Sequence, residues 1–386
     1  MGNQNKKQTI ITSIPFQNLK DLPIPLDKSQ CLLHKQEILI CGGNNERACY
    51  SYHTLKNEYK FICEYPKNVE LFGHCVVKLM DNNKDSNEIT LLSFGGCEYA
   101  KRHTLIMKYV SVWNNDNKMN QSKKYNQWIP FKDNNNNIIH IGRDEDDYFR
   151  VRAVIGGSNN NLLFIAYYPK NISVFDLNTF KWIKHYTFQN NTSCHCFISK
   201  LENRQIIMKT NNKNYEMILF SDNIIFSIKY NEDNNNFQCE QIHDCNNIAK
   251  FKNCAYVRIN DNILFFGGND GYVISKSIYK YSIHENILTI FDLTLHIPLY
   301  NCFGILNEDN TYIHIIGGNN FKRDKISIHM KTKVSDWRNS SQLVIFFFNI
   351  CIYIYFFFCD QTYIVLKLIN SQIMKYNLLF NIGFEF

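Results

Sequence analysis

The closest grouping of metal-binding side chains in this 386-residue sequence is Cys194-His195-Cys196. Residues two apart on a strand project to the same side, so the two thiols would face one way and His195 the other. A zinc site needs further ligands, and none can be placed from the sequence. We therefore interpret these thiols as buried core groups and expect no metal site.

Other patterns that could support catalysis or cation binding are weak. The acidic run at residues 144–147 lacks the alternating oxygen ligands and the glycine of a calcium loop. The sequence contains no nucleophile elbow, phosphate-cradling glycine loop or HExxH pattern, and its twelve histidines are scattered. We expect a protein that is not an enzyme, with no catalytic residue and no cofactor.

The composition favours a β-rich protein of the cytoplasm. Aromatic residues make up 15% of the chain, and the formal net charge of +7 is not gathered into one basic tract, which argues against a nucleic acid as partner. The first residues lack the apolar core of a secretory signal. The fourteen cysteines therefore indicate reduced thiols in a cytosolic or nuclear protein.

Glycine pairs end four short apolar runs in similar surroundings. A short, continuous apolar run is typical of a strand buried on both faces, and glycine lets neighbouring backbones approach closely. Two further units lack the pair: their second strands are predicted at residues 161–167 and 204–210. The four pairs are Gly42-Gly43, Gly95-Gly96, Gly267-Gly268 and Gly317-Gly318.

Two large side chains follow each predicted second strand. Most of these pairs are seven positions apart across a polar turn, which describes a β-hairpin whose side chains pack against the next unit. The first members are 49 to 62 positions apart, which indicates six repeats. The pairs are Tyr52 and Tyr59, Trp113 and Trp128, Phe175 and Trp182, Tyr230 and Phe237, Tyr281 and Leu288, and Met330 and Trp337.

These motifs resemble the Kelch repeat family over about residues 30–340. The resemblance implies an all-β, six-bladed β-propeller of four-stranded antiparallel blades. In the fifth unit, for example, we expect strands at 254–259, 263–266, 277–281 and 287–291. The N-terminal segment 1–29 contains residues 16–23, which could supply the fourth strand of the last blade and close the ring. Residues 337–343 could do so instead.

The resemblance also implies a protein-binding scaffold or adaptor, because partners of Kelch propellers dock on loops after the second and fourth strands. A basic face there would suit an acidic or phosphorylated protein segment. Ordinary solvated loop charge is the simpler interpretation. A less favoured alternative is a Kelch-fold copper-radical oxidase, whose ligands cannot be assigned here. The basic residues predicted in the loops after the second strands are Arg47, Lys101, Arg102, His103, Lys322 and Arg323.

Residues 341–386 form an atypical apolar tail. Within it, residues 343–359 are at the short end of the length that spans a bilayer. Lys331, Lys333 and Arg338 on one flank would keep the propeller cytosolic, so one alternative is a membrane-tethered propeller. The others are an extra pair of strands, or a non-native extension rich in residues encoded by A/T-rich codons.

Overall fold

Six four-stranded antiparallel sheets make up the described part of the chain. The computed structural model describes residues 15–80, 87–97, 100–114, 125–143, 145–189, 194–200, 213–221, 224–242 and 252–337. The sheets belong to one compact unit that ends at Asp336. The prediction of an all-β, six-bladed propeller of four-stranded antiparallel blades is therefore confirmed.

Blades 1 to 3 each use four consecutive strands, and the first strand of each blade contacts the first strand of the next blade around the centre. Blade 1 contains β2 (Gln30–His34), β3 (Glu37–Gly43), β4 (Glu46–His53) and β5 (Glu58–Glu64). Blade 2 contains β6 (Cys75–Leu79), β7 (Glu88–Cys97), β8 (Ala100–Val110) and β9 (Ile129–Pro130). Blade 3 contains β10 (Asp147–Gly156), β11 (Leu162–Tyr168), β12 (Asn171–Asp176) and β13 (Lys181–Thr187).

Blades 4 and 5 follow the same order, and blade 6 borrows its last strand from the start of the chain. Blade 4 contains β14 (Cys194–Ser199), β15 (Asn214–Ser221), β16 (Ile224–Asn231) and β17 (Asn236–Ile242). Blade 5 contains β18 (Ala255–Ile259), β19 (Asn262–Phe266), β20 (Ile278–Ser282) and β21 (Ile287–Ile290). Blade 6 contains β22 (Phe303–Leu306), β23 (Tyr312–Ile316), β24 (His329–Lys333) and β1 (Phe16–Asn18).

The ring is closed by β1, which pairs with β24 so that Asn18 lies opposite Met330. The amide of Leu19 continues the ladder by donating to the carbonyl of His329 at 2.8 Å. The expected hairpin of Met330 and Trp337 is therefore wrong. Because β1 occupies the fourth position of blade 6, the chain leaves the sheet after β24 and forms the 3-10 helix Val334–Trp337.

The seven-residue spacing in blades 1, 4 and 5 comes from one tyrosine–asparagine contact. Tyr52 lies opposite Tyr59, and its hydroxyl donates to Oδ1 of Asn57 at 2.9 Å. Asn57 occupies the turn with a φ of 53°, a conformation that asparagine tolerates better than most residues. Blades 4 and 5 repeat the arrangement with Tyr230, Asn235 and Phe237 and with Tyr281, Asn286 and Leu288.

Phe175 faces Trp182 in blade 3, but the expected hairpin of Trp113 and Trp128 in blade 2 is wrong. Strand β8 ends at Val110, and β9 pairs with it only at Leu105 and Ile106. The long insertion between the two tryptophans removes Trp113 from the ladder. Both tryptophans pack on blade 1 instead: their Nε1 atoms lie 2.9 Å from Ser51 Oγ and 3.4 Å from Cys49 Sγ respectively.

The second strand of blade 4 is also displaced from its predicted place. It is β15, whose buried run from Met217 to Phe220 pairs on both sides, whereas residues 204–210 lie outside the described residues. In blade 5 the four strands agree with the predicted bounds to within one residue.

At three of the glycine pairs, the chain segment that leads to the next blade packs closely against the pair. Gly317 has a φ of 60°, and a Cβ placed there would overlap the carbonyl oxygen of Leu26. The same Leu26 carbonyl accepts from the amide of Gly318 at 2.7 Å. Blade 5 repeats both features with Gly267, Gly268 and Leu299. In blade 1 the donor is instead the amide of Asn45, which follows the glycine pair and donates to the carbonyl of Leu71. Each of the three leucines is fully buried.

Buried histidines lie between blades 6 and 1. Nδ1 of His314 is 2.9 Å from Nε2 of His329, whose ring also contacts Tyr52 and the hydroxyl of Tyr59. Burial lowers the pKa of His314 to about 4 and lowers the pKa of His329 as well. Both rings are therefore neutral in the folded protein at pH 7. Burial similarly lowers the pKa of His74 to about 3.

We expect Gly317→Ala to cost about 3 kcal/mol of unfolding free energy, because it combines backbone strain with displacement of the Leu26 carbonyl. Gly271→Ala is the matched control. Gly271 also has a positive φ but has open space around it, so strain alone should cost about 1–2 kcal/mol. Urea unfolding of the two variants measures the difference, and equal losses would contradict the docking role of Gly317.

Acid should destabilise the protein well before its carboxylates are protonated. The unfolded histidines bind protons near pH 6.5, whereas His74 and His314 in the folded state do so only near pH 3 and pH 4. Stability is therefore fully present above pH 6.5 and falls as the pH drops, by up to ~1.4 kcal/mol per pH unit for each such group. Urea unfolding between pH 7.5 and pH 5 tests this, and a flat profile would contradict it.

Candidate functional site

One end of the ring carries the turns between second and third strands together with the connections between blades, because the strands of every blade alternate in direction. Blade 1 has only the two-residue turn Asn44-Asn45 there. Blades 5 and 6 instead have long loops, at residues 267–277 and 317–328. We call these two loops, together with the connection at residues 19–29, the loop face.

Short polar side chains hold the two long loops in shape. In the first loop, Oδ1 of Asp270 accepts from the amides of Tyr272 and Val273 at 2.9 and 2.8 Å. In the second, Oδ1 of Asn320 accepts from the amide of Lys322 at 2.9 Å. These turns project Tyr272, which is 95% exposed, and Phe321, which is 64% exposed. Exposed aromatic side chains on structured loops are typical of binding surfaces.

Three of the six predicted basic residues are exposed. Lys322 and Arg323 lie at the tip of the second long loop, beside Phe321, whereas Lys101, which was also predicted in a loop, is the second residue of β8. Arg47 lies in β4 rather than in a loop and forms an ion pair with Glu64 at 3.4 Å. Arg47 is therefore partly neutralised, whereas Lys322 and Arg323 place positive charge next to an exposed aromatic ring.

The placement of Arg102 and His103 in a binding loop is wrong. Strand β7 ends at Cys97 and β8 begins at Ala100, so both residues belong to a strand. The Arg102 guanidinium donates to the carbonyls of Arg143 and Asp146 and so holds the connection from blade 2 to blade 3. His103 is 6% exposed, and burial lowers its pKa to about 4.

Sequence analysis missed two basic residues near this surface. Lys28 lies in the 19–29 connection, and Arg150 lies in β10. Nζ of Lys28 lies 5.0 Å from the centroid of the Phe149 ring, and Cζ of Arg150 lies 4.7 Å from the same centroid. Neither Lys28 nor Arg150 follows a second strand, so the repeat pattern gave no reason to select them.

No group of three or more His, Cys, Asp or Glu side chains able to hold a metal occurs among the described residues. The side chains of Cys194 and His195 lie outside them, as does the apolar tail at residues 341–386. The ten cysteines whose side chains are described are free thiols. None of the helices in the described ranges is long and apolar enough to cross a bilayer.

Comparison with known proteins supports the fold only. No protein-family model matches the sequence, and no curated protein matches it. Among solved structures, that of YjhT is similar with a TM-score of 0.56 and 11% sequence identity, over 83% of this chain and 98% of the other. At this identity the similarity shows a shared propeller fold and nothing further.

We expect Arg102→Ala to cost about 1–3 kcal/mol of unfolding free energy, since the carbonyls of Arg143 and Asp146 lose a charged donor. Lys101→Ala removes the same charge from the neighbouring, exposed position and should be within about 0.5 kcal/mol of the wild type. Denaturant unfolding compares the two. If both variants are equally stable, Arg102 does not brace the connection.

Proposed function

We propose that the protein is a non-enzymatic binding module, a Kelch-type scaffold or adaptor, that takes an acidic or phosphorylated segment of a partner protein on the loop face. The observation that carries this proposal is the pairing of exposed aromatics with cations. Tyr272 and Phe321 project from two neighbouring blades, and Lys322 and Arg323 follow Phe321 directly.

The chemistry of these side chains suits protein recognition. Aromatic and arginine side chains dominate the binding energy of protein interfaces, whereas lysine at the rim mainly speeds association and selects for negative charge. The loops that carry them are held by Asp270 and Asn320, so little conformational entropy is lost when a partner docks. A partner segment with carboxylates or phosphate groups beside an apolar residue would match both properties.

The repeat geometry supports the Kelch interpretation. Glycine pairs dock the inter-blade connections in blades 1, 5 and 6, and a tyrosine closes the last turn of blades 1, 4 and 5. A rigid ring built from such units leaves the long loops as the variable part. Recognition in propellers is expected to reside in these loops.

The test is direct binding to a peptide library that contains Glu-rich and phosphorylated sequences, each with its neutral counterpart. We expect acidic or phosphorylated peptides to bind, and Arg323→Glu and Phe321→Ala each to weaken binding by about tenfold or more. Lys181→Glu is the matched control, because it reverses one exposed charge at the opposite end of the ring.

Two results would count against the proposal. One is that neutral peptides bind as well as acidic ones. The other is that Arg323→Glu and Lys181→Glu affect binding equally, which would indicate only a general effect of charge.

A further inference from the structure

Three cysteines lie side by side across blade 1. Cys41 lies opposite Cys49 in the ladder of β3 and β4, and Cys49 lies opposite Cys63 in the ladder of β4 and β5. Cys41 and Cys49 belong to the apolar core between blades 1 and 2, and Cys63 packs against that core. Directly opposite residues of an antiparallel pair have Cα atoms about 4.5–5.5 Å apart, which is within the range that a disulfide spans.

Hydrogen-bond donors converge on the Cys49 sulfur. Nε1 of Trp128, which directly precedes β9 of blade 2, lies 3.4 Å from Cys49 Sγ. Burial raises the pKa of Cys49, but hydrogen bonds from the other two thiols and from Trp128 lower it well below that of a free cysteine. The hydrogen bond to Cys49, together with burial, raises the pKa of Cys63. Cys49 is therefore the thiol that most readily becomes a nucleophilic thiolate.

Cys63 connects this row of thiols to the surface. The side chains of Cys41 and Cys49 are fully buried, whereas Cys63 is partly exposed. Cys63 lies on β5, the edge strand of the blade 1 sheet, and a β-bulge between Cys49 and Tyr50 makes the ladder irregular beside it. Because an edge strand opens locally more easily than an inner strand, a reactant as small as hydrogen peroxide can enter here.

We propose that Cys49 and Cys63 form an oxidation site, at which a peroxide converts the two thiols into a cross-strand disulfide. The Cys49 thiolate attacks one oxygen of hydrogen peroxide, the O–O bond breaks and hydroxide leaves, which gives a sulfenic acid. The Cys63 sulfur then attacks the Cys49 sulfur, the S–O bond breaks, and the Cys63 proton leaves with the hydroxyl group as water. Two electrons pass from the sulfurs to the peroxide, so two thiols and one hydrogen peroxide give one disulfide and two water molecules.

The disulfide changes both the edge of blade 1 and its contact with blade 2. It closes a loop of about 15 residues and ties β5 to β4, which stabilises the folded state. A disulfide sulfur is also a weaker acceptor than a thiolate, so the hydrogen bond from Trp128 weakens. In a reducing compartment such a bond is transient. The site needs no partner protein and stands apart from the proposed docking on the loop face.

Peptide mapping of the full-length protein tests which thiols are joined. The reduced protein is treated with hydrogen peroxide, its remaining thiols are alkylated, and it is digested with trypsin. Trypsin cleaves after Arg47 and Lys60, so the three cysteines fall on separate peptides. We expect the peptides that contain Cys49 and Cys63 to be joined, with the loss of two hydrogen atoms, and to separate when the disulfide is reduced.

Tryptophan fluorescence and thermal unfolding follow the same reaction in solution. A disulfide quenches a neighbouring indole, so we expect peroxide to lower the emission of Trp128 and to raise Tm, with both changes reversed by dithiothreitol. Cys63→Ser should slow the fluorescence change by about tenfold or more and abolish the rise in Tm. Cys239→Ser is the matched control: Cys239 is also partly exposed on the edge strand of its blade, but it lies opposite Ile228, so this variant should respond as the wild type does.

The proposal fails if Cys49 and Cys63 remain free thiols after peroxide treatment, or if Cys49 is joined to Cys41 instead. It also fails if Cys63→Ser and Cys239→Ser show the same changes in fluorescence and Tm. Should Cys63→Ser not fold, peptide mapping of the wild-type protein alone decides between these outcomes.

Discussion

The path of the chain from one blade to the next depends, in blades 5 and 6, on a backbone contact between a glycine pair and the connection that follows the blade. The carbonyls of Leu26 and Leu299 each accept from the second glycine of a pair, while the leucine side chains are fully buried. A side chain on the first glycine would occupy the place of the carbonyl. In blade 2 the Arg102 guanidinium reaches the carbonyls of the next connection instead. The same requirement, to anchor the chain between blades, is thus met by different chemistry.

The repeat could be predicted from sequence because its glycine and aromatic positions are set by local geometry. The position of Tyr52 and Tyr59 follows from one turn, and the strands of blade 5 lie within one residue of expectation. Features that depend on residues far apart in the sequence were harder to predict. The sequence Leu22-Pro23-Ile24-Pro25-Leu26 repeats the pattern of Leu295-His296-Ile297-Pro298-Leu299, and both lie where a blade ends and the next begins. That similarity was the available signal that residues before Leu22 complete a blade. No comparable pattern marks Lys28 or Arg150, because they come from different parts of the chain and only the fold brings both onto the Phe149 ring.

Charge is distributed unevenly over the loop face. At the rim, Arg47 and Lys325 are paired with the carboxylates Glu64 and Asp27, so part of the basic composition serves internal contacts. Lys322 and Arg323 at the loop tip are exposed beside an aromatic ring. Lys28 and Arg150 are placed differently, because they lie over the rings of Phe72 and Phe149. Counting basic residues along the sequence could not distinguish these environments, because burial and pairing are set by the fold.

Closure of blade 6 by β1 joins segments that lie over 300 residues apart in sequence. During synthesis, Phe16 is made long before its partner Thr332, so the first strand must remain unpaired while five blades are assembled. Contacts of such high sequence separation form slowly, since the entropy of closing the chain is lost before the pairing contributes. We therefore expect the pairing of β1 with β24 to be a late event in folding, and until it forms the β24 edge of blade 6 is open to neighbouring chains.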